Sequence, residues 1–326
     1  MIPLRILSTG VAVPDNCVTS SELDKMQRHA HGYCEHRSGV AQRYIADASL
    51  RQSKLGAQAL QEALRRAGLA AAGLDLVIAA CAVPEQAMPA TAVFIAQQTG
   101  VSAGTPAFDI NASCLGFMVA LRLAAGLLHD RQYSRIGLVA VDLPSRGIDW
   151  DAPEASLIFG DGAAAVILER GAGPAGIEGF RYATYPEGAR LCQIRGGGTA
   201  HNPRTAVQAS DYLFQMDGKG VFRLASQYMD AFLKNLLGEA GVTLADIDLV
   251  VPHQASHLGM EHMRRQLRIP PERMVDIYAR HGNQVAASLP SALHHAIDSQ
   301  RAPPGSRLLL IGTAAGLSLG GMVLSL

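Results

Sequence analysis

Aromatic side chains are scarce in this chain. One tryptophan, eight tyrosines and eight phenylalanines serve 326 residues, 48% of which are apolar. Any core must therefore be packed mainly from alanine, valine, isoleucine and leucine. Charge is sparse too, at 17%, and Lys plus Arg equals Asp plus Glu at 28 each. Without a basic surplus there is nothing to neutralise a phosphate backbone, so no nucleic-acid partner is expected. No stretch reaches the roughly 18 uninterrupted apolar residues of a membrane span. The opening residues, MIPLRILSTGVAVPDN, lack a basic segment leading into an apolar run. The expectation is a cytoplasmic enzyme with no membrane partner. Cysteine is also rare. Cys17, Cys34, Cys81, Cys114 and Cys192 are odd in number, scattered and free of any C-x-x-C pair, which argues against a disulfide framework or a zinc site. No metal is expected from histidine either, because the adjacent His294 and His295 diverge on a helix, and His29 and His31 sit in a polar loop.

What is present is an internal repeat. EALRRAGLAAAGLDLVIAACA (62–82) aligns without a gap with NLLGEAGVTLADIDLVVPHQA (235–255), an offset of 173. YSRIGLVAVD (133–142) aligns with GSRLLLIGTA (305–314) at an offset of 172. Two matches at nearly one offset indicate two similar halves, residues 1–170 and 171–326, divided at the Gly/Pro-rich ERGAGPAG. Short apolar strands such as LDLVIAAC, RIGLVAVD, AAAVILE and SRLLLIG alternate with helical segments. Strands apolar on both faces imply helix-covered, mixed or parallel sheets. The fold class is α/β, expected as α-β-α-β-α layers.

The stretch NASCLGFMVALRLAAGLLHD (111–130) places one thiol where a polar turn becomes an apolar helix. Unpaired N–H groups and the helix dipole at such a position favour a thiolate and can hold an oxyanion. The plain alternative is a packed cysteine at a strand–helix junction. His253 follows the apolar strand of the second repeat, at a strand end where α/β proteins assemble sites. Asn283, in RHGNQVAAS, sits in a glycine-containing turn ahead of a small-residue helix; a capping asparagine is its plain alternative. GTAAGLSLGG (312–321) is a glycine-rich connection that suits either a tight β turn or close approach to a ligand. RGGGTAHNP (195–203) lacks the βα context of a dinucleotide site and reads as a flexible surface loop.

Taken in order, DINASCLGF, VPHQAS, RHGNQVAAS and GTAAGLSLGG resemble the thiolase superfamily and, within it, the β-ketoacyl-[acyl carrier protein] synthase III family. HRSGVAQR (36–43), IFGDGAAAVIL and MDGKGVFRLA resemble further segments of that family, so the likeness spans nearly the whole chain. It implies a thiolase-like duplicated fold, with Cys114 as the nucleophile that takes an acyl group from a CoA thioester. By the same resemblance, the N–H groups of Cys114 and Gly316 form the oxyanion hole. His253 and Asn283 hold the enolate left when a malonyl thioester loses carbon dioxide. The residue types suit this, since an imidazole N–H and an amide NH₂ are neutral donors while a carboxylate would repel the charge.

The resemblance also assigns Tyr33, Arg37, Met88, Phe159, Met216, Gly218, Phe222 and Gln284 to CoA and substrate binding. The implied partners are an acyl-CoA, malonyl-acyl carrier protein or malonyl-CoA, and a second copy in a homodimer. No cofactor is implied beyond the CoA thioester as substrate. Several positions depart from the family pattern. Tyr33 stands where tryptophan often stacks on adenine, and Pro153 where arginine often closes the other face. Leu258 replaces a basic residue used against acidic carrier protein, with Arg264 and Arg265 further along. Met88 stands where a phenylalanine commonly closes the partner's acyl pocket, and Gln284 makes the wall beside Asn283 bulkier.

Other readings share some of these residues. A papain-like cysteine hydrolase also orders Cys, His and Asn, but its C-G-[SA]-C-[WY] segment is absent. A non-catalytic partner would be expected to lack one of Cys114, His253 and Asn283. A specialised relative of secondary metabolism would use the same cysteine on an unusual acyl unit, or pass the acyl group to an oxygen or nitrogen nucleophile.

Overall fold

The computed structural model describes residues 1–326. Its strands, in chain order, are β1 (Ile2–Pro3), β2 (Arg5–Ala12), β3 (Cys17–Thr19), β4 (Gln42–Tyr44), β5 (Leu76–Ala80), β6 (Ala107–Ile110) and β7 (Arg135–Asp142). They continue as β8 (Gly162–Glu169), β9 (Gly176–Thr184), β10 (Cys192–Gln193), β11 (Gln215–Met216), β12 (Leu249–Pro252), β13 (Arg307–Ala314) and β14 (Ser318–Ser325). One sheet has the order β2-β8-β7-β5-β6 and the other β1-β9-β14-β13-β12, while β3–β4 and β10–β11 are separate ribbons.

The two sheets share one pattern of strand directions. In the first, β2–β8 and β8–β7 are antiparallel and β7–β5 parallel. In the second, β9–β14 and β14–β13 are antiparallel and β13–β12 parallel. The aligned segments of the sequence place β5 on β12 and β7 on β13. The helices that precede β5 and β12, Gln52–Ala67 and Gly218–Ala240, both stop at a left-handed glycine, Gly68 (φ 67°) and Gly241 (φ 70°). Glycine alone takes that conformation without a Cβ penalty, which explains the recurrent AG in the sequence. The first strand crosses between halves: β1 pairs with β9, so residues 2–3 extend the sheet built otherwise from residues 176–325.

Side chains alternate across each strand, and the alternation sorts them into three apolar layers. Leu76, Ile78, Leu138, Leu308, Leu310 and Met322 face inward onto the helices Gly116–His129 and Ser288–Asp298, which lie between the sheets. Val77, Ala79, Val139 and Ala165 face outward onto the helix Gln52–Ala67. Leu309, Ile311 and Val323 face outward onto Phe232, Leu233 and Leu236 of Gly218–Ala240. The result is an α-β-α-β-α sandwich. Its central helices are apolar almost all round, as elements enclosed by two sheets must be. The alanines Ala120, Ala124, Ala125, Ala292 and Ala296 fill the closest approaches in place of aromatics. No helix is long and apolar enough to cross a membrane.

Candidate active site

β6 ends at Ile110, and the chain turns sharply before the central helix. The Asn111 side chain shapes the turn, accepting from the Ser113 N–H at 3.0 Å and donating to the Ala82 carbonyl at 3.0 Å. Ser113 is left-handed at φ 49°, an uncommon state for a residue with a Cβ. Gly116 opens the helix, two residues beyond Cys114 and one later than the sequence suggests, so the thiol sits on the approach to the helix and not within it. Cys114 keeps some accessible surface. Burial pushes its thiol up to about 12, with the Asp142 carboxylate and the Cys192 thiol adding to the rise. The N–H groups of Cys114 and Ala315 face the sulfur and oppose that rise. The resting group is therefore a thiol, with amide donors already placed for negative charge.

His253 emerges directly from β12, and its N–H donates to the Ile311 carbonyl at 2.8 Å. The side chain lies over Gly312 of the neighbouring strand. A Cβ there would stand 2.6 Å from the histidine Cβ and 3.2 Å from the Leu115 side chain. Gly312 thus makes room for the imidazole beside the residue that follows Cys114. Gly312→Ala should displace the ring, destabilising the fold by about 1–3 kcal/mol through overpacking and lowering turnover more than primer binding. Thermal melts and steady-state kinetics check this. Burial lowers the His253 pKa to about 4, so the ring is neutral across the physiological range. Its Nδ1 is buried without a partner. A proton there would be an orphaned donor, so the neutral ring is assigned its hydrogen on Nε2, where it can donate.

Asn283 follows left-handed Gly282 (φ 65°) and is buried. Its N–H donates to the Ile158 carbonyl at 2.7 Å, and its Oδ1 accepts from Val285 N–H at 2.8 Å and Ser288 Oγ at 3.2 Å. With the amide oxygen occupied, the orientation of the NH₂ is fixed. One of its hydrogens goes to the Ala255 carbonyl at 3.2 Å, in the loop that carries His253. Val285 pays for this tight turn with φ 54°, a costly state for a β-branched residue. β13 and the connection that follows it complete the cluster: Gly312 of the strand lies against His253, and the Ala315 amide just beyond it faces the Cys114 sulfur.

The structure distributes the remaining expected residues unevenly. Gly316 has φ 139°, a conformation that favours glycine, but the amide facing the resting sulfur is that of Ala315, one residue earlier. Phe159 is buried edge-on to Phe214, 5.2 Å between ring centres, and it bridges to Asn283. Met216 pairs with Cys192 across β10–β11, and Gly218 opens the next helix. Phe222 is exposed and packs edge-on against His262 at 4.7 Å. Tyr33 and Arg37 lie on the helix Tyr33–Ser38, with Tyr33 exposed against His29 at 4.3 Å. Met88 is 78% exposed on the single chain. Gln284 is a correction. At 1% exposure it offers no surface to a substrate; its Nε2 donates to the Asp161 carbonyl at 3.3 Å, and its amide occupies the space left by Gly162. The 195–203 stretch is a surface turn, but it is anchored: Arg195 pairs with Asp211 at 2.5 Å, and Gly196 N–H bonds the Asp211 carbonyl at 2.7 Å.

The chain is similar to known proteins over nearly its whole length. The family model for 3-oxoacyl-[acyl-carrier-protein] synthase III matches residues 108–186, and that for its C-terminal part matches residues 237–326. A β-ketoacyl-[acyl-carrier-protein] synthase III of Streptomyces coelicolor is 36% identical over 322 residues, 97% of this chain and 95% of the relative. The chain belongs to the β-ketoacyl-[acyl carrier protein] synthase III family. A synthase III from Aquifex aeolicus superposes with a TM-score of 0.89 at 29% identity, covering 99% of this chain and 100% of the other. The priming β-ketosynthase of the R1128 polyketide pathway superposes at 0.88 with 28% identity, covering 99% and 96%. This synthase III is accordingly an acyltransferase of thiolase-like fold.

Two features of this synthase III lay outside the sequence reading. Trp150, the chain's single tryptophan, packs on the cluster of Val18, Leu23, Cys34 and Leu157, next to the helix that carries Tyr33. Asp142, at the end of β7, is buried beside the cysteine turn. Neither carries a motif signal, because each gains its place only through tertiary contact.

Proposed function

We propose that this synthase III loads an acyl group from a CoA thioester onto Cys114 and condenses it with a malonyl thioester. In the first step the thiol attacks the thioester carbonyl, the new C–S bond replaces the old one, and CoA leaves as the free thiol. The N–H groups around the sulfur are placed for the tetrahedral oxyanion, with the Gly316 amide adjoining them. In the second step the malonyl carboxylate departs as carbon dioxide. The enolate oxygen is held by His253 Nε2–H and Asn283 Nδ2–H, and the enolate carbon attacks the acyl-cysteine. One proton is taken up, and the thiol and a β-ketoacyl thioester are released.

The observation that carries this reading is the donor set. A neutral imidazole and an oriented carboxamide accompany a thiol faced by amide donors, and the Asp142 carboxylate nearby is taken up by backbone N–H groups. Such a set favours a transient oxyanion or enolate over hydrolysis through a charged general base. Incubation with a panel of acyl-CoAs, followed by intact mass spectrometry, should show one acyl adduct, mapped to Cys114. Adding malonyl-CoA or malonyl-acyl carrier protein should then release carbon dioxide with the β-keto product. An absent adduct would refute the assignment. An adduct that discharges to an alcohol or amine without carbon dioxide would replace condensation by simple acyl transfer.

A second reading, priming in a specialised pathway, is supported by the R1128 similarity and by the surface. Leu258 is 77% exposed at the head of the helix His257–Gln266. Arg264 and Arg265 are both paired with Glu261, at 2.7 and 2.5 Å. That helix therefore offers little free positive charge to an acidic carrier, which favours a CoA-borne extender or docking elsewhere. A homodimer belongs to the same proposal: β6 is a sheet edge, and Phe108, Val83, Met88 and Val93 are exposed on and around it.

A further inference from the structure

Asp142 is 3% exposed and forms no ion pair, yet both of its oxygens accept from backbone N–H groups. Burial, opposed by these donors, pushes its pKa up to about 7. Oδ1 accepts from the N–H of Ala82 at 3.0 Å and of Val83 at 3.3 Å, and Oδ2 from the N–H of Ala286 at 3.0 Å. These donors come from separate regions of the fold. Ala82 and Val83 follow β5, while Ala286 lies three residues after Asn283 and beside strained Val285. Ala82 then passes the connection on, because its carbonyl accepts from Asn111, whose side chain shapes the Cys114 turn. One carboxylate thus joins the turn that bears the nucleophile to the turn that bears the amide donor. The titratable groups facing it are Cys81, Cys114 and Asp161, all of which can only add negative charge.

We propose that Asp142 is a positioning residue that holds the Cys114 and Asn283 turns in mutual register, so that its loss slows condensation after the primer has been loaded. The proposal rests on the acyl-cysteine reading above. A carboxylate suits the role because both oxygens accept. An asparagine of the same shape would press its NH₂ against one set of backbone N–H groups and release that turn. Val285, held at positive φ partly by the Ala286 anchor, would then be free to relax, moving the Asn283 amide from its place. Misplacement by about 1 Å costs on the order of a hundredfold in rate.

The test compares wild type, Asp142→Asn and Asn111→Ala. For Asp142→Asn, kcat for condensation should fall about ten- to a hundredfold while the acyl-CoA KM stays near wild type. The pH profile of Cys114 alkylation by iodoacetamide should also move to lower pH, because a negative charge has gone from beside the thiol. Asn111→Ala removes the exposed arm to Ala82 and the bond from Ser113 N–H but leaves the Asp142 carboxylate in place, so it should give a smaller loss of kcat with an unmoved alkylation profile. A folded Asp142→Asn protein with wild-type kcat and profile would overturn the proposal. Should that variant fail to fold, an Asn111→Ala protein with undiminished kcat would do the same. If wild type itself takes no acyl group from CoA, the underlying reading has failed instead.

Discussion

Cys114→Ala is expected to abolish the acyl adduct and to lower condensation by at least about a thousandfold, the scale at which removal of a nucleophile acts. Stability should change little, because a small side chain is exchanged for another at a partly accessible position. The discriminating measurement is intact mass after exposure to acyl-CoA: wild type gains one acyl mass and the variant none. Cys34 and Cys81 provide an internal control. Burial raises both thiols, Cys34 to about 12 and Cys81 further, and neither has the amide donors that face Cys114. An adduct that persists in Cys114→Ala and maps to another cysteine would show that the nucleophile has been misassigned.

Asn283→Asp should separate the two half-reactions. The side chain stays nearly isosteric, so the turn can form, but a carboxylate replaces the NH₂ where enolate charge develops. Release of carbon dioxide should fall about a hundred- to a thousandfold, as when one oxyanion donor is removed, while the acyl adduct on Cys114 still accumulates. The pH response has a definite sign. Asn283 is buried, and a carboxyl in its place is pushed above the ordinary carboxylate range by desolvation. Lowering the pH toward 5 therefore protonates part of it, the protonated form can donate, and activity should partly return. His253 does not counteract this, because burial keeps its pKa at about 4 and the ring neutral through that window. Mass spectrometry of the adduct and a carbon dioxide assay across pH 5–8 read both steps. Equal loss of adduct and carbon dioxide would place Asn283 in the loading step.

Much of this arrangement is legible in the residues because local chemistry and global position coincide. The repeated AG marks two left-handed helix ends, and the strands behind it carry the same partners in each sheet. Cys114 stands out because a polar turn changes abruptly into an apolar helix. His253 and Asn283 stand out at a strand end and a glycine turn. Gln284 shows the limit. Its neighbour lies in the site, but the side chain departs the other way to fill the space over Gly162, and periodicity cannot indicate the direction taken out of a turn. Asp142 ends the apolar string RIGLVAVD and looks like its polar stop. Its role depends on Ala286, 144 residues away, a contact that no local pattern encodes. Ala315 carries no signal of its own beside Gly316, because which amide reaches the sulfur is decided by the path of the β13–β14 connection.

The two helices enclosed between the sheets also bear on how such an enzyme can diversify. Each begins just after one of the chemical turns, and both are locked into a layer with almost no tolerance for larger side chains. Mutational drift is thereby disfavoured between the sheets but is tolerated by the fold at Tyr33, Phe222 and Leu258, which are exposed. If the proposed function holds, acyl preference and choice of carrier are expected to diverge at that periphery while the residues between the sheets stay constant.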